Sequence, residues 1–203
     1  RRDVRFARGL FRLLKRIKPI ELDSDVLLCD DFEEAVDKFA DNVAIDDGQR
    51  TLTYRDLDAM ANRFAHWAKS RGLRRSDTIA LMMTNRVEYL AAWIGFSKVG
   101  VATALINTNL VGPSLAHCID IVSPKHVIVA SDLAAGFASA RGMLKSQPKI
   151  GSHGESGEYP RLDQLIETFS SDALTDAERC LLTIEDRALY IYTSGTTGLP
   201  KAA

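Results

Sequence analysis

The chain has 203 residues, with 26 Lys+Arg against 27 Asp+Glu, 46% hydrophobic and 26% charged side chains, and only 13 Gly and 6 Pro. So much apolar surface drives collapse into a core, which excludes collagen-like, low-complexity and disordered chains. Three cysteines, Cys29, Cys118 and Cys180, odd in number and far apart, exclude a disulfide framework and a Cys-x-x-Cys zinc knuckle and point to an intracellular setting.

The near-neutral total hides an asymmetry. Residues 1–20 carry eight basic residues and one acid, Asp3, for a net +7, while the rest of the chain carries −8. Phe6, Leu10, Leu13, Leu14 and Ile17 recur with the helical period, and Arg5, Arg8, Arg12, Lys15 and Arg16 fill the positions between them. Residues 1–20 are therefore predicted as a basic amphipathic helix, a unit separate from residues 21–203. An anionic membrane surface suits it, with the apolar stripe in the headgroup boundary and the cations on lipid phosphates. Packing against the body or a partner suits it equally, because Glu21 to Asp47 holds eleven acids against one base, Lys38. A targeting peptide fits less well, since arginines interrupt the stripe. Nucleic acid is excluded as a partner: the basic run is one short helix without aromatic-glycine interleaving, and the remainder is acidic.

Helix-like and strand-like segments alternate from about residue 30. A helix at 31–41 precedes a strand at Val43 to Asp46, the turn DDGQR and a second strand, TLTY. Leu57, Met60, Ala61, Phe64, Trp67 and Ala68 make a helical stripe over residues 54–71, and Gly72 is its stop. Strand 78–83, helix 86–98, strand 101–106, helix 113–122 and strand 126–130 follow. Residues 99–119 lack Asp, Glu, Lys and Arg, yet Asn107, Asn109, Pro113 and His117 argue against a membrane span. A helix at 131–145 leads to KSQPKIGSHGESGEYP, read as an exposed loop, then a short helix LDQLIETF and a buried final strand, ALYIYT (188–193). The strands are continuous apolar runs, as expected of strands covered on both faces. The predicted class is α/β, a layered, parallel-rich sheet with helices on both faces.

The four histidines, His66, His117, His126 and His153, never share a helix face at ligand spacing, so no metal site is predicted. His117 and Cys118 adjoin, but sequence neighbours point apart, which disfavours a Cys/His nucleophile pair.

The chemistry concentrates after the final strand, in Thr193-Ser194-Gly195-Thr196-Thr197-Gly198-Leu199-Pro200-Lys201. Gly195 and Gly198 let backbone N–H groups turn inward, the hydroxyls add donors, and Lys201 neutralises phosphate charge. Gly-x-x-Gly-x-x-Lys is not the Walker spacing. Nor is Ser194 a hydrolase nucleophile elbow: Tyr192 stands where that motif needs glycine, and no histidine follows.

YTSGTTGLPKAA resembles the signature loop of the adenylate-forming, AMP-binding superfamily: acyl-CoA synthetases, luciferases and peptide-synthetase adenylation domains. LTYRDLDAMANRFAHWAKSRGLRRSDTIALMMTNRVEYLAAWIGFSKVG looks like the N-terminal segment of that superfamily. GVATALINTNLVGPSLAHCI looks like its fatty acid transport protein and very-long-chain acyl-CoA synthetase branch. The similarity covers roughly residues 30–203, and the loop together with INTNL is specific. The resemblance implies a two-step ligase. A fatty acid carboxylate attacks the α-phosphorus of ATP, carried with Mg2+, releasing pyrophosphate, and the thiolate of coenzyme A then displaces AMP from the acyl-adenylate. It implies that Thr193, Ser194, Gly195, Thr196, Thr197, Gly198 and Lys201 bind the β- and γ-phosphates, Lys201 as a clamp rather than the catalytic lysine. The catalytic lysine, adenine pocket and Mg-binding Glu of such enzymes follow this loop, so the chain is expected to be an incomplete N-terminal part, inactive alone and cytoplasmic or peripheral on a membrane. A truncated, non-catalytic membrane- or partner-binding chain is the alternative, and a different acyl specificity, for a carnitine-like or bile-acid substrate, is a further one.

Overall fold

The computed structural model describes Phe6, Leu10, Phe11, residues 27–193 and residues 200–203. Apart from those three residues, which are helical, the predicted helix over 1–20 lies outside the described residues.

Helix α1 (Leu28–Phe39) leads into an antiparallel hairpin of β1 (Val43–Asp46) and β2 (Thr51–Thr53). Helix α2 (Tyr54–Ser70) starts on a reciprocal cap: the Thr53 hydroxyl accepts from the Asp56 N–H at 3.2 Å, and the Asp56 carboxylate accepts from the Thr53 N–H at 3.1 Å. It ends where the sequence predicts, with a left-handed Gly72 (φ 72°) and the Leu73 N–H reaching back to the Ala68 carbonyl at 3.1 Å. Then come β3 (Thr78–Met82), α3 (Val87–Lys98), β4 (Ala102–Leu105), α4 (Gly112–Asp120) and β5 (His126–Ala130). A 3-10 turn at Ser131–Leu133, α5 (Ala134–Arg141), β6 (Lys149–His153), α6 (Leu162–Ile166), β7 (Leu189–Tyr190), β8 (Tyr192–Thr193) and β9 (Lys201–Ala202) complete the order.

The main sheet has five parallel strands in the order β6-β5-β3-β4-β7. Every residue of β3 and β5 is buried, because alternate side chains enter two separate cores. Ile79, Leu81, Ile128 and Ala130 meet α2, α3 and α6 on one face. Ala80, Met82, Val127 and Val129 meet α4 and α5 on the other, around Leu115, Ile119 and Phe137. The predicted α/β class with helices on both faces is what the chain adopts. Trp67 and Phe64, 2% and 4% exposed, are core residues that pack against Phe96.

Charge also holds the first layer together. The Lys98 ammonium, buried at the end of α3, meets Glu33 Oε1 of α1 at 2.8 Å, Asp58 Oδ1 of α2 at 2.6 Å and Asn62 Oδ1 at 2.7 Å. Burial works against ionising Glu33, yet Lys98 and Arg179 hold its carboxyl below the usual range. Four segments distant in sequence, including the connector that carries Arg179, are thereby fixed to one another.

Three expectations are corrected. Residues 149–153, within the segment read as an exposed loop, form edge strand β6, paired with β5 from His126↔Lys149 to Ala130↔His153. Its Gly and Ser residues serve packing: a side chain on Gly151 would meet Leu162 Cβ at 3.2 Å, and Ser152 is fully buried with its N–H on the Pro160 carbonyl at 2.9 Å. The helix expected over 131–145 is split into the 3-10 turn and α5, which ends at Arg141. The final strand is neither continuous nor buried. Leu189–Tyr190 pairs with β4, Ile191 is 54% exposed, and Tyr192–Thr193 turns away to pair antiparallel with Lys201–Ala202. An edge strand with one neighbour keeps one side open to solvent, which is why its burial differs from that of β3 and β5.

Candidate functional site

From β3 the chain passes to β4 on one side, then returns across β3 to β5 and β6 on the other. The following helices diverge accordingly, α3 to one face and α4 to the opposite one. Where such connections part, the carboxyl ends of the strands open a crevice, the usual ligand site of doubly wound sheets. A cleft of about 370 Å3 lies there, lined by Met83, Thr84, Asn85, Ile106, Asn107 and Thr108. The INTNL motif (106–110) forms its β4 rim. The Ile106 N–H bonds to the Leu81 carbonyl at 3.0 Å, the Asn107 side chain accepts from the Asn109 N–H at 3.0 Å, and the Leu110 N–H closes the turn on the Asn107 carbonyl at 3.1 Å.

Helix α4 follows that turn directly, opening with Pro113 in its first turn, where the missing N–H costs nothing. Its far side holds the stem of the glycine-rich loop. Thr193 and Lys201 are register partners in the β8–β9 hairpin, and Ile191 and Ala203 exchange two backbone hydrogen bonds at 2.9 and 3.1 Å. The Tyr192 hydroxyl donates to the Cys118 carbonyl at 2.7 Å, and His117 Nε2 lies 3.0 Å from the Pro200 carbonyl. A carbonyl only accepts, so Nε2 carries the proton. Burial, with lesser help from Cys118 and Tyr190, pushes the Tyr192 phenol well above its ordinary value, so it stays a donor.

Of the seven residues expected at the phosphate site, Thr193 and Lys201 sit opposite one another, both exposed, at the mouth of this stem. Ser194, Gly195, Thr196, Thr197 and Gly198 lie outside the described residues. Lys201 has no ion pair among the described residues, which leaves its ammonium available to an anion. Nothing local in the sequence marks His117 or Cys118 as anchors, because His117 and its partner carbonyl are 83 positions apart.

A second cleft, of about 430 Å3, shares Thr84 and Asn85 with the first and extends over the ends of β3, β5 and β6. Arg50 pairs with Glu88, Arg86 reaches Asp132 at 3.2 Å, and His153 Nε2 lies 3.9 Å from Glu88 Oε2. Burial, aided by Arg86 and Arg50 and opposed by Glu88 and Asp163, holds His153 below its ordinary value. Asp47 Oδ2 accepts from the Val87 N–H at 3.1 Å, capping α3 from the β1–β2 turn. Its carboxyl sits below the usual range because the Arg50 and Gln49 N–H groups favour the anion. Charges from four loops meet here, so no local motif announces the cleft. Among the described residues no three His, Cys, Asp or Glu gather as a metal site.

The model of the family described as AMP-binding enzyme matches residues 32–203. The chain belongs to the AMP-binding enzyme family. Its curated relatives include long-chain fatty acid transport protein 6 of Mus musculus, 36% identical over 74% of this chain and 25% of that protein. Long-chain fatty acid transport protein 1 of Bos taurus is 39% identical over 74% of this chain and 24% of that protein. A medium/long-chain-fatty-acid–CoA ligase of Mycobacterium tuberculosis is 30% identical over 85% and 28% respectively. This AMP-binding chain thus spans about a quarter of the length of the curated relatives it matches. Among solved structures, an anthranilate CoA ligase in complex with anthranoyl-AMP superposes with a TM-score of 0.80 at 24% identity, over 90% of this chain and 35% of that one. A luciferase-like enzyme from the mealworm Zophobas morio gives 0.76 at 21%, over 92% and 43%. At those identities the likeness establishes the fold. No helix among the described residues is long and apolar enough to cross a membrane.

Proposed function

We propose that residues 21–203 are the N-terminal part of the AMP-binding domain of an ATP-dependent long- or very-long-chain fatty acyl-CoA synthetase. The observation that supports it is the hairpin stem: it pairs Thr193 with Lys201 at the two ends of a Ser/Thr/Gly loop, beside the carboxyl end of a parallel sheet. The loop from Thr193 to Lys201 holds the β- and γ-phosphates of ATP. A fatty acid carboxylate oxygen bonds to the α-phosphorus as the bond to pyrophosphate breaks. The thiolate of coenzyme A then bonds to the acyl carbon as the bond to AMP breaks. The chain's own part is to gather N–H groups, hydroxyls and one ammonium where pyrophosphate develops charge. Mg2+ enters with the nucleotide, and the described residues supply no carboxylate cluster for it.

Fatty-acid-dependent ATP–pyrophosphate exchange by the full-length protein tests this reading. Exchange with long-chain fatty acids and none without a carboxylate is expected, whereas exchange only with amino acids sinks the fatty acid assignment. In the same protein Lys201→Ala should raise the KM for ATP by about tenfold or more, the worth of a hydrogen bond to a charged group, with unfolding temperature unchanged.

A second reading concerns residues 1–20, which belong at the intracellular, anionic face of a membrane. Eight basic residues against one acid favour it, because a cluster of that charge is drawn to anionic lipid headgroups.

A further inference from the structure

The phosphate-loop reading assigns no role to α4, yet α4 grips both arms of the loop's stem. The stem itself is short: β8 and β9 are two residues each, a length at which an isolated hairpin is marginal in water. It therefore borrows its position from elsewhere. On the outgoing arm the Tyr192 hydroxyl reaches the Cys118 carbonyl at 2.7 Å. On the returning arm the carbonyl of Pro200, the residue before Lys201, accepts from His117 Nε2 at 3.0 Å. Tyr190, Tyr192 and Ala202 pack on the core that Leu115, Cys118 and Ile119 of α4 build.

We propose that His117 is a positioning residue for nucleotide binding, fixing the returning arm of the glycine-rich loop so that Lys201 faces the polyphosphate. The inference rests on the ligase reading above. Proline has no N–H, so Pro200 cannot join the ladder as a donor, and its carbonyl is the polar group through which His117 ties this end of the loop to α4. The side chain of His117 is only partly buried, whereas Leu115, Ala116, Cys118 and Ile119 are the residues by which α4 enters the core, so removing the imidazole withdraws one tie and little packing. Asparagine or leucine at 117 cannot supply the same bond, the first being too short and the second lacking a donor. Glutamine can, since its amide N–H2 extends to about the reach of Nε2.

The test uses the full-length protein with His117→Ala and His117→Gln. For His117→Ala, the KM for ATP is expected to rise about three- to tenfold, the equilibrium worth of one hydrogen bond, while kcat and the KM for fatty acid hold within about twofold. His117→Gln should recover most of the loss. An unchanged KM for ATP in His117→Ala overturns the proposal. So does a uniform loss of kcat and both KM values with a lowered unfolding temperature that glutamine does not repair, because that is a packing defect. Amide hydrogen exchange without substrate separates this failure from failure of the ligase reading. The N–H groups of Ile191 and Ala203, bonded across the stem, should exchange faster in His117→Ala than in the parent. If the parent shows no carboxylate-dependent exchange of pyrophosphate, the ligase reading falls while this measurement still decides whether His117 holds the loop. Equal exchange rates at both amides overturn the anchoring itself.

Discussion

His126 shows how one position couples the core to pH. It opens β5, is 8% exposed, and stands edge-on to Trp67 with ring centroids 5.1 Å apart. Burial first, then the nearby charges of Lys149, Arg71 and Lys125, lower its pKa from 6.5 to about 4. Between those values the unfolded chain binds a proton that the folded chain refuses, so stability falls as pH drops from 6.5 toward 4. The loss from this one group should be about 2 kcal/mol at pH 5. Unfolding temperature measured from pH 7 to 5 should fall less steeply in His126→Phe, which keeps a ring against Trp67 and removes the titration. Equal slopes in the two proteins would refute this account. Lys98 shows a different residue-scale logic. A lysine placed in an apolar helix reads as an error until the fold brings Glu33, Asp58 and Asn62 to within hydrogen-bond reach of it.

Between elements, the tightest joint is the α2–α3 pair. Gly95 of α3 lies so near α2 that an added Cβ would stand 2.2 Å from the Ala61 carbonyl oxygen and 2.8 Å from Phe64 Cβ. A backbone oxygen cannot swing aside, so Gly95→Ala must push the two helices apart and open the core around Phe64 and Phe96. A destabilisation of about 3 kcal/mol is expected, at the upper end for overpacking. Chemical denaturation of the variant checks it, and a cost below that of an ordinary surface change would show that the helices slide freely. The stripe of α2 and its glycine stop were legible in the sequence because period and cap are local properties. Strand β6 was not. KIGSH carries two small residues, Gly151 and Ser152, and only pairing with β5 and the approach of Leu162 turn them into strand residues. The break between β7 and β8 was equally hidden: ALYIYT reads as one apolar run, and the change of partner from β4 to β9 is a matter of where those strands stand.

At the scale of the molecule, charge is divided between a basic first twenty residues and an acidic remainder, +7 against −8. For the membrane reading, a peptide of residues 1–20 should float with vesicles containing anionic lipid and stay behind with neutral ones, and raised salt should release it. Equal flotation with both vesicle types would discard that reading. The division of labour across the sheet is a second whole-molecule property: two cores on opposite faces, and a crevice where the helices after β3 and β4 part.

The sequence by itself determined the α/β alternation, the central strands buried on both faces, the helical stripe of α2 with its glycine stop, and the glycine-rich loop with its lysine. Each of these is written in residues a few positions apart, where period, backbone freedom and charge act directly. Tertiary structure decided the rest. The strand order, the charged cleft of Arg50, Arg86, Glu88, Asp132 and His153, the Lys98 cluster and the grip of His117 on Pro200 join residues tens of positions apart. Such contacts carry a loop-closure cost that only the assembled cores offset, so no local pattern can encode them.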